Sequence, residues 1–225
     1  MSVELVVAAD PEDAAARAAQ LLADAAHAGK HIVLAGGSTP RRAYELAALE
    51  NGDWGRAEIW WGDERCVPSD DERSNFRLVQ ESLLSRLAHP PAAVHRIRVE
   101  LGAERAAAEY DRELRRVPLG LVLLGIGPDG HTASLFPNSP PLGATSRRAV
   151  AAEPGLDPRV QRVTLTPKAL AEAAHIVFLA VGAEKSAPVM RALSGAPSPA
   201  TPASLVRSRN GTTTAIVDAA AAAWL

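Results

Sequence analysis

Short apolar runs rich in β-branched residues alternate along this chain with Ala/Leu/Arg stretches whose apolar positions recur at helical spacing. The runs predict strands over 4–8, 31–35, 58–61, 94–99, 119–124, 148–152, 162–166, 176–181 and 213–217. Several are apolar throughout, as strands buried on both faces are. The clearest helix opens with Asp10 as N-cap, Pro11 at the first helical position and Glu12 and Asp13 in the first turn, and runs to Gly29. Others are expected after Thr39, Arg73, Gly102, Thr166 and Gly182. Strands alternating with helices predict an α/β fold, a mostly parallel sheet with helices on both faces. No repeat of fixed period is present, and the one Pro/Ser-rich stretch, 195–202, is too short and too late to divide the chain into separate domains. Residues 1–225 are therefore expected to form a single domain.

Composition narrows the partners. With 24 basic against 26 acidic residues and a formal net charge of -2, the chain lacks the basic excess that a nucleic-acid surface requires. Its single cysteine, Cys66, can form no internal disulfide and no structural zinc site by itself, which fits a reducing compartment. Glu4 stands where a secretion signal would carry Lys or Arg, and no apolar run approaches the roughly 18 residues of a membrane span. The expectation is a cytoplasmic protein with no membrane, nucleic-acid or obligate protein partner. Lysine occurs only at 30, 168 and 185, which makes the placement of Lys185 after a strand worth following.

Three apolar strands end in glycine-containing turns expected to open helices: Leu34-Ala-Gly-Gly-Ser-Thr-Pro40, Leu124-Gly-Ile-Gly-Pro-Asp-Gly-His131 and Ala180-Val-Gly-Ala-Glu-Lys185. In an open parallel sheet such turns gather at the strands' carboxyl ends, where ligands bind. In the first turn, Gly36 and Gly37 let the backbone approach an anion, Ser38 and Thr39 add hydroxyls, and Pro40 would start a helix whose amides face the ligand. The competing reading is a plain turn capped by Thr39. The second turn matches the dinucleotide pattern at Gly125, Gly127 and Gly130, with Glu153 where a ribose-binding acid would lie. Against that, Pro128 removes an amide, Asp129 puts negative charge where pyrophosphate would sit, and Pro137, Pro140 and Pro141 stop any long helix. What remains is Asp129-Gly-His131, an imidazole beside a carboxylate, suited to general-base work near neutral pH. A further strand ends in Asp63-Glu-Arg65, read either as a solvated charge run with local salt bridges or as a guanidinium and two carboxylates at the ligand edge. No zinc-ligand spacing, Walker A loop or nucleophile elbow is present, so neither metal nor cofactor is expected.

Taken in order, Ala35-Gly-Gly-Ser-Thr-Pro40, Trp61-Gly-Asp-Glu-Arg65, Ser74-Asn75, the thirteen-residue block from Gly125 to Pro137 and Val181-Gly-Ala-Glu-Lys185 resemble the 6-phosphogluconolactonases along nearly the whole chain. The resemblance implies a Rossmann-like sheet of the sugar-phosphate isomerase/deaminase superfamily and hydrolysis of 6-phospho-D-glucono-1,5-lactone in the pentose phosphate pathway. It implies that His131 activates water with Asp129 orienting it, and that Arg65 meets either the phosphate or the developing oxyanion. Gly36, Gly37, Ser38, Thr39, Gly130 and Lys185 would contact the substrate, chiefly its phosphate, with Arg162 a further candidate, while Asp63 and Asn75 would hold sugar hydroxyls or brace Arg65. The related glucosamine-6-phosphate deaminases read Asp-Glu-Tyr after the third strand and carry an Asn-Glu pair after the later one. Here Arg65 and Thr132-Ala-Ser-Leu-Phe-Pro137 stand in those places. A non-catalytic sugar-phosphate sensor is the third reading, disfavoured by the presence of both His131 and Arg65.

Overall fold

The computed structural model describes residues 3–50 and 53–225. Seven strands form one parallel sheet, β1 (Glu4–Ala8), β2 (His31–Leu34), β3 (Glu58–Trp61), β5 (Ala93–His95), β6 (Leu119–Leu124), β9 (His175–Ala180) and β10 (Thr212–Asp218), in the order β1-β10-β9-β6-β2-β3-β5. Three more, β4 (Asp63–Arg65), β7 (Ala149–Ala152) and β8 (Arg162–Leu165), make a small antiparallel sheet in the order β4-β8-β7. The central strands are buried along most of their length, from Ile32 to Leu34, Leu121 to Leu124 and Ile176 to Ala180, which is why their sequences show no polar alternation.

Strand order also explains where the helices go. From β2 the chain winds toward β3 and β5, whereas from β6 it winds the other way, toward β9 and β10. Right-handed crossovers in opposite directions put their helices on opposite faces. Thus α1 (Pro11–His27) and α2 (Ser38–Leu49) pack together, with α3 (Asn75–Ser82) beside α2, while α4 (Ala103–Glu113) packs against β7 and β8. The remaining helices are α5 (Pro167–Ala171) and α6 (Ser186–Leu193). The direction of winding reverses between β2 and β6, and a crevice opens at the carboxyl ends of strands flanking such a reversal.

Local signals set several boundaries as expected. Asp10 accepts the Asp13 amide at 2.9 Å and Pro11 opens α1. The helix ends at His27, two residues short of the expected Gly29, which takes a φ of +67° just beyond it. Three expectations fail. The 94–99 strand covers only Ala93–His95, because the chain turns into a 3-10 helix at Val99–Leu101. The charge run Asp63-Glu-Arg65 is a strand rather than a loop, paired with β8 and holding Asp63 and Glu64 buried without a salt bridge among the described residues. The turn after β6 opens no helix: the chain folds back on itself from Gly127 to His131 and makes a lone bridge between Thr132 and Leu135.

Two buried tyrosines fix how the strands leave the sheet. The Tyr44 hydroxyl accepts the Ala35 amide at 2.9 Å and donates to the Ala35 carbonyl at 2.7 Å. Tyr110 does the same for the Trp61 amide and carbonyl, at 2.8 and 3.0 Å. Both satisfy backbone groups that the sheet can no longer pair, and both pin the segments that enter the crevice.

Candidate active site

At the winding reversal lies a cleft of about 300 Å³ whose walls include Gly36, Gly37, Ser38, Thr39, Asp63, Arg65, Asn75, His131, Arg162 and Lys185. Ten of the twelve residues singled out from sequence therefore meet around one space. A larger concavity, about 870 Å³, opens between Val3, Pro167, Leu193 and Arg207, at the amino ends of β1 and β10, and carries none of them.

The turn expected to cradle an anion starts where β2 ends, at Leu34. Gly37, with a φ of +106°, is the N-cap of α2, and the helix begins at Ser38, two residues before the expected start at Pro40. The Ser38 and Thr39 amides thus belong to the first turn, whose N–H groups have no acceptor within the helix. Pro40, third in the helix, lacks an N–H where none is needed. Gly36 is required on steric grounds, since a β-carbon there would overlap the Asn75 carboxamide. Across the cleft, Lys185 Nζ donates to the Ile126 carbonyl at 2.9 Å, so the loop after β6 aims the ammonium group.

Asp129 and Gly130 do not line the cleft. One oxygen of Asp129 accepts both the His131 amide, at 3.0 Å, and the His131 ring Nδ1, at 2.6 Å. Burial pushes this carboxyl upward, but the ring and amide hydrogen bonds outweigh it and hold the group below its ordinary value. Gly130, with a φ of +87°, donates to the Gly127 carbonyl and accepts from the Ala203 amide, both at 2.9 Å. It closes the turn that presents His131. The imidazole lies against Gly127 on one side and near the Phe136 ring, 4.9 Å between centroids, on another.

The third wall comes from β4 and the start of α3. Asn75 Nδ2 donates to the Asp63 carbonyl at 2.8 Å and to its carboxylate at 3.1 Å, and Ser134 Oγ donates to the other Asp63 oxygen at 2.6 Å. Asp63 thus braces Asn75 and the loop after β6, and Arg65 is braced instead by the Arg73 carbonyl, 2.7 Å from its Nη1. Asn75 Oδ1 is left buried without a partner, packed against Gly36.

Sequence reasoning gave no separate role to Ser134 or Phe136, inside a block prized for its histidine, weighed Gly127 only as part of a dinucleotide pattern, and read Glu64 only as one of two carboxylates at the ligand edge. Glu64 is buried and takes four donors: the Arg65, Asn75 and Phe76 amides at 2.7, 2.8 and 2.7 Å and Ser74 Oγ at 3.1 Å. Burial pushes its carboxyl above the usual range against the pull of those amides. It ties β4 to the N-terminus of α3 and so sets Arg65 and Asn75 together. Glu64→Gln turns an NH2 group toward an N–H or hydroxyl donor, and a loss of about 1–3 kcal/mol in stability is expected, read as a lower denaturation midpoint in urea.

Comparison with known proteins matches this geometry. Residues 7–215 fit the family described as glucosamine-6-phosphate isomerases/6-phosphogluconolactonase. A 6-phosphogluconolactonase of Thermotoga maritima is 40% identical over 171 residues, which are 75% of this chain and 77% of that protein. One from Streptomyces coelicolor is 35% identical across 99% of this chain and 94% of its own length. The solved 6-phosphogluconolactonase from Trypanosoma cruzi superposes with a TM-score of 0.88 at 27% identity, over 100% of this chain and 98% of that one. This chain belongs to the glucosamine-6-phosphate isomerase/6-phosphogluconolactonase family.

Proposed function

We propose that this chain hydrolyses 6-phospho-D-glucono-1,5-lactone to 6-phospho-D-gluconate, with His131 as general base. Its relatives' names supply the reaction class, and the observation that carries the mechanism is the 2.6 Å contact between His131 Nδ1 and Asp129 at the mouth of the anion-seeking cleft. Asp129, ionised, accepts the Nδ1 proton and leaves Nε2 with its lone pair free. Nε2 takes a proton from water as the water oxygen attacks the lactone carbonyl carbon. The tetrahedral oxyanion then collapses, the bond to the ring oxygen breaks, and that oxygen recovers the proton from the imidazolium. The carboxylic acid formed ionises to carboxylate.

The phosphate is placed at the first turn of α2 and at Lys185, where amides and an ammonium group converge. Lys185→Ala is expected to raise KM by about 10- to 100-fold with a smaller change in kcat, the loss of one charge-assisted contact made in ground and transition states alike. Steady-state kinetics at constant ionic strength checks it, and an unchanged KM removes Lys185 from the site. Asn75 lines the same cleft and is assigned to a sugar hydroxyl.

The reading carries with it a small-molecule partner and a cytoplasmic setting, supported by the near-balanced charge and the free Cys66. Among the described residues no helix is long and apolar enough to cross a membrane. Freshly prepared lactone, coupled to oxidation of the 6-phosphogluconate formed and corrected for spontaneous opening, gives the direct test. A rate no greater than the uncatalysed one overturns the proposal.

A further inference from the structure

At the opposite end of the sheet from the cleft, the concavity of about 870 Å³ has charged walls of one sign only. Lys168, Arg207 and Arg209 line it, and no Asp or Glu does. The rest is largely apolar, with Leu142, Leu193, Leu205 and Pro197. Lys168 is one of the chain's three lysines and stands four residues before Glu172, the spacing of a helical ion pair. Glu172 reaches Arg148 instead, at 3.4 Å. Arg207 is half-buried, and burial alone pulls its pKa down, with no carboxylate to offset it. Its Nη1 donates to the Ala203 and Val206 carbonyls at 2.8 and 2.7 Å, and its Nη2 to the Ala192 carbonyl at 2.7 Å. A guanidinium has five N–H groups, so two remain. Arg209 is fixed by its backbone, whose amide donates to the Ala171 carbonyl at 2.9 Å, at the end of the helix that carries Lys168. Holding the carbonyls at the end of α6 accounts for Arg207 as a cap. It accounts for neither Lys168 nor Arg209. Like charges gathered without counter-ions repel, and an anion settled among them removes the repulsion.

The carbonyls that Arg207 holds lead to the turn that presents His131. Ala203 donates its amide to the Gly130 carbonyl at 2.9 Å. Ala192 lies in α6 next to Arg191, whose Nη2 donates to the Pro128 carbonyl at 3.0 Å. Pro128 and Gly130 flank Asp129, the partner of the His131 ring. A guanidinium drawn toward an anion in the concavity therefore pulls on the turn at both sides of Asp129.

We infer that this concavity is a second ligand site, for a nucleoside diphosphate or a ligand of that make-up, a flat apolar ring carrying a short polyanion, and that its occupancy is transmitted through Arg207 to the His131 turn. The volume lies within the roughly 300–1,000 Å³ of small-molecule sites, with room for a base as well as phosphates. Guanidinium and ammonium groups meet phosphate oxygens, and the leucine and proline walls meet the base. A sugar phosphate would leave those walls wet. The coupling is reciprocal, so a ligand in the cleft changes affinity here by the same factor. The inference stands apart from the lactonase reading, because neither binding nor its effect on the turn needs turnover to be measured.

Calorimetric titration of the native chain with ADP, adenosine and inorganic pyrophosphate separates the charged wall from the apolar one. One ADP per chain is expected, bound at least about tenfold more tightly than either fragment. Lys168→Gln and Arg209→Gln should each weaken ADP by about five- to tenfold without lowering the melting temperature or turnover, while Lys185→Ala should leave ADP affinity within about twofold. The His131 ring proton resonances, assigned by their loss in His131→Asn, should move as ADP saturates the native chain and stay in place in the Lys168→Gln/Arg209→Gln double variant. No binding of ADP overturns the site. So does ADP that is weakened by Lys185→Ala and indifferent to Lys168→Gln and Arg209→Gln, since it then sits in the cleft. Equal affinity for ADP and pyrophosphate overturns the nucleotide assignment, and binding with unmoved His131 resonances overturns the link through Arg207. A chain that binds ADP as expected and opens no lactone overturns the lactonase reading alone.

Discussion

Replacing His131 with asparagine is expected to lower kcat by roughly 10²- to 10⁴-fold while KM changes little, the usual worth of a positioned general base. Asparagine keeps a polar group of similar reach and can still accept the turn's geometry, but it cannot take a proton. The proposed phosphate contacts lie on α2 and at Lys185, outside the turn, and should stay in place. In the native enzyme kcat should fall as pH drops, because protonated imidazole cannot act as base. The acid limb belongs to the imidazole rather than to Asp129. That carboxyl, though raised by burial, is held below its ordinary value by the His131 ring and amide hydrogen bonds, so it is ionised throughout the range in which histidines titrate. Because its folded pKa is depressed, its contribution to stability is present above the unfolded value of about 3.9 and is lost only as pH falls through the folded one. Acid unfolding and the kinetic limb therefore fall in different ranges. A merely structural His131 predicts the reverse pattern, a lowered melting temperature with near-normal turnover in the folded fraction. Single-turnover hydrolysis and thermal denaturation on the same variant decide between them, and a stable, fully active His131→Asn enzyme passes the role of base to another group.

How much of this was legible in the sequence follows from what each segment had to say locally. Buried parallel strands announce themselves by continuous apolar runs, so 58–61 and 119–124 coincide with β3 and β6. The helix at Pro11 carries its own cap. By contrast, Asp63-Glu-Arg65 has no apolar residue to mark a strand: its pairing is supplied by β8, about a hundred residues later, and its buried charges by Asn75, Ser134 and the amides of α3. Local reading of three charges favours solvent, and tertiary pairing overrode it. The missing helix after β6 has a similar cause, since the turn's backbone groups are consumed within the turn itself, from Gly127 to His131. Gly130 was grouped with the ligand contacts because it shares a motif with His131. Motifs register what a turn needs in order to form as well as what it presents, and residue spacing alone does not separate the two.

Gly127 shows the same point from the side of function, through a substitution that touches no proposed ligand contact. A β-carbon at 127 would overlap Nδ1 and Cε1 of the His131 ring, so Gly127→Ala must push the imidazole aside or tilt it away from Asp129. Backbone conformation gives no cause for strain, because Gly127 is not among the residues with positive φ. The energy of the change therefore falls on the ring. Displacement of about 1 Å in a catalytic group is enough to cost on the order of 10²-fold in rate, and a loss of that size in kcat is expected with KM nearly unchanged. Breaking a hydrogen bond to a carboxylate changes the proton affinity of the group that makes it, so the acid limb of the pH profile should shift as well as the plateau. That shift separates a displaced base from a simple loss of folded protein, which lowers the amplitude and leaves the limb where it was. Histidine proton resonances followed through a pH titration in both forms read the ring directly. If Gly127→Ala retains native turnover and an unmoved titration, the imidazole is not held by this contact, and the close packing of ring against glycine has no role in positioning the base.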